Sequence, residues 1–268
     1  MRLGFSTHFY VHEYFDIIHI NEIKYLGYEE IELWGMPPVL DLTDKERIKR
    51  VKEYLEEKGI RVISFHGPLY KRTADPASRE WLYLSSSKEN KRKEAVEKNI
   101  EIIRLIEDFK ASILVLHIDL EEGADTRQAI NNFRKSLEEL IGETSKKGIR
   151  IAIENTHEHT VSGKLRELIN TYPERDVGIC LDIGHANIFE DPSDAIKIAG
   201  ERLIHTHLHD NDGNSDLHLW VGRGDIDWKS VTKAASEINY QGVLMLELRK
   251  EKSLAGLEAD NMSKILGI

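Results

Sequence analysis

The sequence carries an excess of groups able to hold a divalent cation, and they are not evenly spread. Seven of the twelve histidines lie between His157 and His218, several of them beside Asp or Glu. Imidazole nitrogens and carboxylate oxygens are the usual ligands of zinc, manganese or iron, and converging carboxylates repel unless a cation or a base lies between them. Nine residues are candidate ligands: His66, His117, Glu154, Asp182, His185, His207, Asp216, His218 and Glu247. Asp182 and His185 are three residues apart, one helical turn. Asp216 and His218 fall on one side of an extended segment. Nine ligands exceed the capacity of one tetrahedral or octahedral ion, so two or three ions would use them all.

What positions these residues is a repeated alternation of short apolar runs with longer amphipathic stretches. Strands are predicted near 2–6, 29–34, 61–66, 112–117, 150–154, 177–182, 203–207 and 243–247. Helical patterns fall between them, among them 43–58, 88–110 and 126–147. Gly59, Gly148 and Gly242 stand where a helix ends before a strand. Eight strands alternating with about eight helices predict an α/β fold, a single-domain (β/α)8 TIM barrel spanning 1–268.

Side chains along a strand alternate between faces. In 113–117, Leu114 and Leu116 then face the helices while Ile113, Val115 and His117 face the barrel axis. The last inward residues of strands 3 to 8 are His66, His117, Glu154, Asp182, His207 and Glu247. They converge on the C-terminal mouth, where such barrels place their chemistry. His205 is expected in the layer beneath or in the core, and His8 follows strand 1 and can line the pocket. His209, Asp210 and Asp212 are expected in a solvated turn or orienting His207. His157, Glu158 and His159 are expected in a polar loop, and 88–110 presents a solvated charged face.

Composition excludes several alternatives. Lys plus Arg number 37 against 47 Asp plus Glu, a net charge of −10, which gives no overall attraction for nucleic acid or an anionic membrane. An apolar fraction of 40% suffices for a large core. No apolar run is long enough to span a membrane, and the first residues lack the apolar segment of a secretory signal. One cysteine, Cys180, cannot form an internal disulfide, so a reducing, cytoplasmic location is expected. The oligomeric state is not encoded in any of these features.

At these residues the sequence resembles the xylose isomerase-like TIM-barrel superfamily, which includes sugar isomerases and epimerases as well as endonuclease IV (apurinic endonuclease family 2). The motifs are SFHGP at 64–68, VLH at 115–117, IENT at 153–156 and GICLDIGH at 178–185. They continue with THLHDN at 206–211, DLHLWVGRGDIDW at 216–228 and LMLE at 244–247. The resemblance to epimerases implies one metal, zinc or manganese, held by Glu154, Asp182, His207 and Glu247, with the two glutamates moving a proton on a sugar or sugar phosphate. The resemblance to endonuclease IV implies up to three zinc ions on all nine residues, with Glu154 bridging two, and DNA with an abasic site as substrate.

GFSTH, IELWGMPP and HLHDNDG followed by GRGDIDW look like the isomerase branch, where endonuclease IV usually has His-Leu-Asn-Asp. The epimerases often carry a substrate-binding arginine near the position of Asp216 and His218. Here Arg223, between two glycines, is expected to serve instead, with His185 also facing substrate. Lys71, Arg72 and Arg223 are too few for a DNA track but enough for one phosphate.

Overall fold

Eight parallel strands close on themselves in chain order: β1 (Arg2–Ser6), β2 (Glu30–Trp34), β3 (Arg61–His66), β4 (Ile113–Leu116), β5 (Arg150–Glu154), β6 (Val177–Asp182), β7 (Leu203–Leu208) and β8 (Val243–Leu246). Strand β8 pairs with β1 from Arg2↔Val243 to Phe5↔Leu246, which completes the barrel. The computed structural model describes residues 1–71 and 80–268. Among the described residues none of the helices is long and apolar enough to cross a membrane.

The helices that cover the barrel are α1 (Ile17–Tyr25), α2 (Lys45–Lys58), α3 (Glu89–Asp108), α4 (Thr126–Thr144), α5 (Ser162–Ile169), α6 (Ile183–Phe189), α7 (Pro192–Ala199), α8 (Trp228–Glu237) and α9 (Ala259–Leu266). Their ends follow local chemistry. Asp44 caps α2 by accepting from Arg47 N, and Gly59 ends it with a left-handed φ of 68°. Helix α2 buries Ile48, Val51 and Leu55 on one face. Helix α3 stops at Asp108, short of the expected 110, because Lys110 takes a positive φ of 57°. Helix α4 gives way to a 3-10 turn at Ser145–Lys147 before Gly148.

The alternation expected for the strands is observed. Leu114, Leu116, Ile151, Ile153, Leu244 and Leu246 join the large core between barrel and helices. Ile113, Val115, Ala152, Cys180 and Ile204 form a separate, smaller core inside the barrel, with Ile63 packed against it. Two register shifts set its height. Ile31↔Val62 is followed by Glu32↔Ser64, and Ile179↔Leu203 by Cys180↔His205, so one extra residue, Ile63 or Ile204, is inserted on β3 and β7. Each insertion reverses the side-chain phase below it. Val62 and Leu203 therefore face the helices, Ile63 and Ile204 fill the barrel floor, and Ser64, His205 and His207 point inward above them.

Candidate metal centre

Strands β3, β5 and β6 end in His66, Glu154 and Asp182, β7 carries His207, and His117 and Glu247 follow β4 and β8 directly. His185 stands in the first turn of α6, whose N-cap is Asp182: its carboxylate accepts from His185 N at 2.7 Å. Asn155 ties β5 to β6 by donating to Asp182 O at 2.9 Å and accepting from Asp182 N at 2.6 Å. Asp216 and His218 come from the segment after β7. All nine residues expected at the mouth meet there, in three adjoining groups, two of which share Glu154.

The first group is His66, His117 and Glu154. The Nε2 atoms of the two histidines are 3.1 Å apart, and His117 Nε2 is 3.1 Å from Glu154 Oε2. The second is Glu154, Asp182, His207 and Glu247, all four buried. There His207 Nδ1 lies 3.2 Å from Glu154 Oε2 and 3.5 Å from Glu247 Oε2. The third is His185, His209, Asp216 and His218, where His185 Nε2 and His218 Nε2 lie 3.4 and 3.3 Å from the Asp216 carboxylate. Glu154 belongs to the first two groups. Asp182 joins the second to the third, with Oδ1 at 3.0 Å from His209 Nε2.

The imidazoles of the nine are oriented alike in one respect: one nitrogen is fixed as a donor and the other faces a group. A carbonyl or carboxylate oxygen only accepts, so the nitrogen facing it carries hydrogen. His66 Nδ1 donates to Gly67 O at 2.8 Å, His185 Nδ1 to Asn155 O at 2.9 Å and His218 Nδ1 to Glu247 O at 2.8 Å. His117 Nδ1 faces Asp119 Oδ1 at 3.4 Å. In each case Nε2 is left for the cluster. His207 is reversed: Nε2 faces Glu32 at 3.1 Å and Nδ1 points to the mouth. Such fixing of the far nitrogen is how proteins orient metal-binding histidines.

Electrostatics follow from burial. Among the described residues no lysine or arginine pairs with Glu154, Asp182 or Glu247, so histidines supply the counter-charge. Burial opposes ionisation of Glu154, yet His207 and His117 hold its carboxyl well below the ordinary carboxylate range. Burial likewise opposes protonation of His117, but Glu154 and Asp119 push it up to about 10. His218 rises to about 9, burial again being outweighed by Asp216 and Glu247. Protons on imidazole thus do here what a bound cation would do.

Several residues were missed or misplaced by sequence reasoning. Glu32, fully buried in β2, accepts from Ser6 Oγ at 3.0 Å and Ser64 Oγ at 2.8 Å, and from His205 and His207 Nε2 at 3.1 Å. Its signal was present, since Ile31 and Leu33 alternate with it and pack outward. His209 and Asp210 are buried, not in a solvated turn. The His209 ring occupies space beside Gly184, where a Cβ would come within 1.9 Å of it. Asp210 accepts from Gly222 N at 2.8 Å and Trp228 Nε1 at 2.8 Å, which fastens the 222–228 turn, while Asp212 is exposed as expected. His8 packs at a tilt against His218 and Trp34, with ring centroids 4.4 and 4.7 Å away, and Trp34 Nε1 donates to Glu247 Oε1 at 3.2 Å.

The basic residues expected near substrate are engaged elsewhere. Arg223 pairs with Glu251 at 2.7 Å and lies over the Trp220 ring, and Lys71 pairs with Glu80 and Glu94. Arg72 lies outside the described residues.

A divalent ion fits the donors present. Ligand atoms about 2.0–2.2 Å from zinc lie at most about 4.4 Å apart, and the separations of 3.1–3.6 Å between facing ligand atoms of the three groups lie inside that limit. Asp182 Oδ2, His207 Nδ1 and both His209 nitrogens are buried without a hydrogen-bond partner among the described residues. Such orphaned atoms are costly unless something binds them.

Residues 20–265 match the family model described as xylose isomerase-like TIM barrel. An uncharacterized protein of Methanocaldococcus jannaschii is 31% identical over 191 residues, covering 69% of this chain and 74% of its own length. A D-psicose 3-epimerase of Enterocloster bolteae is 24% identical over 273 residues, 92% of this chain and 82% of that protein. A probable endonuclease 4 of Aquifex aeolicus is 26% identical over 166 residues, 54% of this chain and 59% of that protein. The crystal structure of a D-tagatose 3-epimerase-like protein shares the fold, with a TM-score of 0.82 at 24% identity over 100% of this chain and 96% of that one.

Proposed function

Because the chain belongs to the xylose isomerase-like TIM-barrel family, we propose that it is a divalent-metal-dependent isomerase or epimerase of a sugar or sugar phosphate, working in the cytoplasm. The observation that carries this reading is the buried group Glu154, Asp182, His207 and Glu247, whose carboxylates have histidines but no lysine or arginine to pair with among the described residues. These four would hold the ion, zinc or manganese, which supplies Lewis-acid polarisation of a carbonyl and its neighbouring hydroxyl.

The chain's own groups then move the proton. Glu154, ending β5, and Glu247, following β8, approach the mouth from well-separated strands of the barrel. One takes the proton from the carbon beside the carbonyl, and the other returns one from the opposite side. Trp34 Nε1 holds Glu247 Oε1 and leaves Oε2 facing His207 and His218. His185, with its Nδ1 anchored on Asn155 O, offers Nε2 to a substrate hydroxyl. The similarity to a D-psicose 3-epimerase along 92% of this chain supports a ketose as substrate.

The test is proton exchange. Metal-loaded protein incubated in deuterated water with ketoses and ketose phosphates should incorporate deuterium at the epimerised carbon, seen by mass spectrometry. Glu154→Gln and Glu247→Gln should each reduce incorporation by about 10²–10⁴-fold. No incorporation across the panel would sink the reading.

The two outer groups favour a second reading, an endonuclease IV-like zinc phosphodiesterase acting at abasic sites with up to three ions. That reading requires nicking of an abasic-site duplex by the zinc-loaded protein and its loss in Glu154→Gln.

A further inference from the structure

Beside the third group, on the β1 and β8 side of the mouth, a cavity of about 340 Å³ is lined by His8, Phe9, His12, His218, Arg249 and Lys250, and by Glu13, whose carboxylate pairs with Lys250. We propose that this cavity is an oxyanion subsite in which Arg249 binds a terminal phosphate or carboxylate of the substrate. The proposal rests on the sugar-isomerase reading for its connection to catalysis, but the binding itself does not.

Position comes first. His218 is shared between the cavity and the third group, its Nδ1 donates to Glu247 O at 2.8 Å, and it stands 3.9 Å from Glu247 Oε2. The cavity therefore starts one side chain away from a proposed proton-transfer group. Its size lies near the lower end for small-molecule sites of about 300–1,000 Å³, enough for a phosphate and a few carbons.

Charge comes second. Of the basic residues bordering the mouth, Lys71, Arg223 and Lys250 are each held by carboxylates, Lys250 by Glu13 at 2.7 Å. Arg249 is exposed, and among the described residues no carboxylate pairs with its guanidinium. Its backbone, by contrast, is fixed on both sides: N donates to His218 O at 2.9 Å, and O accepts from Trp220 Nε1 at 3.1 Å. An unspent guanidinium on an anchored backbone can present its planar fork to two oxygens of one oxyanion. Arg223, the arginine expected from the sequence to meet substrate, lacks this freedom because Glu251 and Trp220 occupy it.

Calorimetric titration of the metal-loaded protein with glycerol 3-phosphate, glycerate and glycerol tests the subsite. One or both anions should bind while glycerol does not, and the better anion tells a phosphate ester from a sugar acid. Arg249→Gln should weaken that anion at least about tenfold, and Arg249→Lys, which keeps the charge but loses the fork, should restore only part. Lys197→Gln, which removes a distant charge on α7, should change nothing. Failure of both anions to bind, or binding unaltered by Arg249→Gln, would overturn the proposal. Arg249-dependent binding without deuterium incorporation from any sugar leaves the subsite standing and removes the isomerase reading. Incorporation with Arg249-independent binding does the reverse.

Discussion

Glu32 is two residues below the mouth, touches no substrate position, and fixes the one histidine of the buried group. Its carboxylate accepts four hydrogen bonds, two from serine hydroxyls and two from the Nε2 atoms of His205 and His207. Glu32→Gln keeps the size but replaces one acceptor oxygen with an NH₂ donor, which then opposes an imidazole N–H. The cheapest relief is to move the proton of His207 from Nε2 to Nδ1, the atom 3.2 Å from Glu154 that must stay bare to bind metal.

A hydrogen bond to a charged group contributes about 1.5–3 kcal/mol, so loss of one or two lowers the stability by about 1.5–6 kcal/mol. Removing the outer partner of a metal-binding histidine typically costs about 10–100-fold in affinity, or about 1.4–2.7 kcal/mol. Chelator competition with zinc or manganese reads the affinity, thermal unfolding reads the stability, and ¹⁵N NMR of the imidazole reads the tautomer. Glu30→Gln is a matched control on the same strand face. Glu30 is also buried, but it pairs with Arg2 and Arg61 at the far end of the barrel, so Glu30→Gln should lower stability through those pairs and leave metal affinity unchanged. Affinity in Glu32→Gln within twofold of the parent, with Nε2 of His207 still protonated, would refute the reasoning.

Gly184→Ala would place a Cβ 1.9 Å from His209 Cε1; overpacking of this kind costs about 1–3 kcal/mol, and displaced His209 should cost the third group its ion, read by elemental analysis. His117→Ala should likewise remove an ion bound by the first group while the buried second group keeps its own. If that substitution empties all sites, the three groups do not act as separate ligand sets. The pH dependence of stability should differ between metal-free and metal-loaded protein. His117 and His218, raised to about 10 and about 9, stabilise the metal-free fold fully below about pH 6.5, and that contribution is lost as pH rises through their folded values. A bound ion replaces those protons and binds more tightly as pH rises, so the melting temperature of chelator-treated protein should fall between pH 6.5 and 10 relative to the loaded form. Parallel curves would show that the imidazoles are not protonated in the metal-free state.

The ends of the strands were legible in the sequence because counting back from the mouth meets no irregularity. His66, Glu154, Asp182 and His207 each fall on the inward phase of an uninterrupted upper strand, and the mouth needs only that phase and the barrel rule. The two inserted residues, Ile63 and Ile204, were not legible, since nothing in RVISFH or LIHTHL distinguishes a shifted register from a regular one. They mark where the polar upper half of the barrel meets its apolar floor: Ser64 and His205 contact Glu32 directly above them, and Ile63 and Ile204 join Cys180 and Val115 below. Period-two reading places Ser64 and His205 correctly but sends Val62 and Leu203 to the wrong face. His209 shares the phase of His205 and His207, yet its burial depends on the missing side chain of Gly184 in a different loop. That is tertiary information, and it explains why HLHDND reads as a turn until β6 and β7 are brought together. The inserted residues let one strand carry a charged contact and an apolar one on the same face at adjacent positions. The carboxylate of Glu32 can then stand against His207 with aliphatic side chains beneath it.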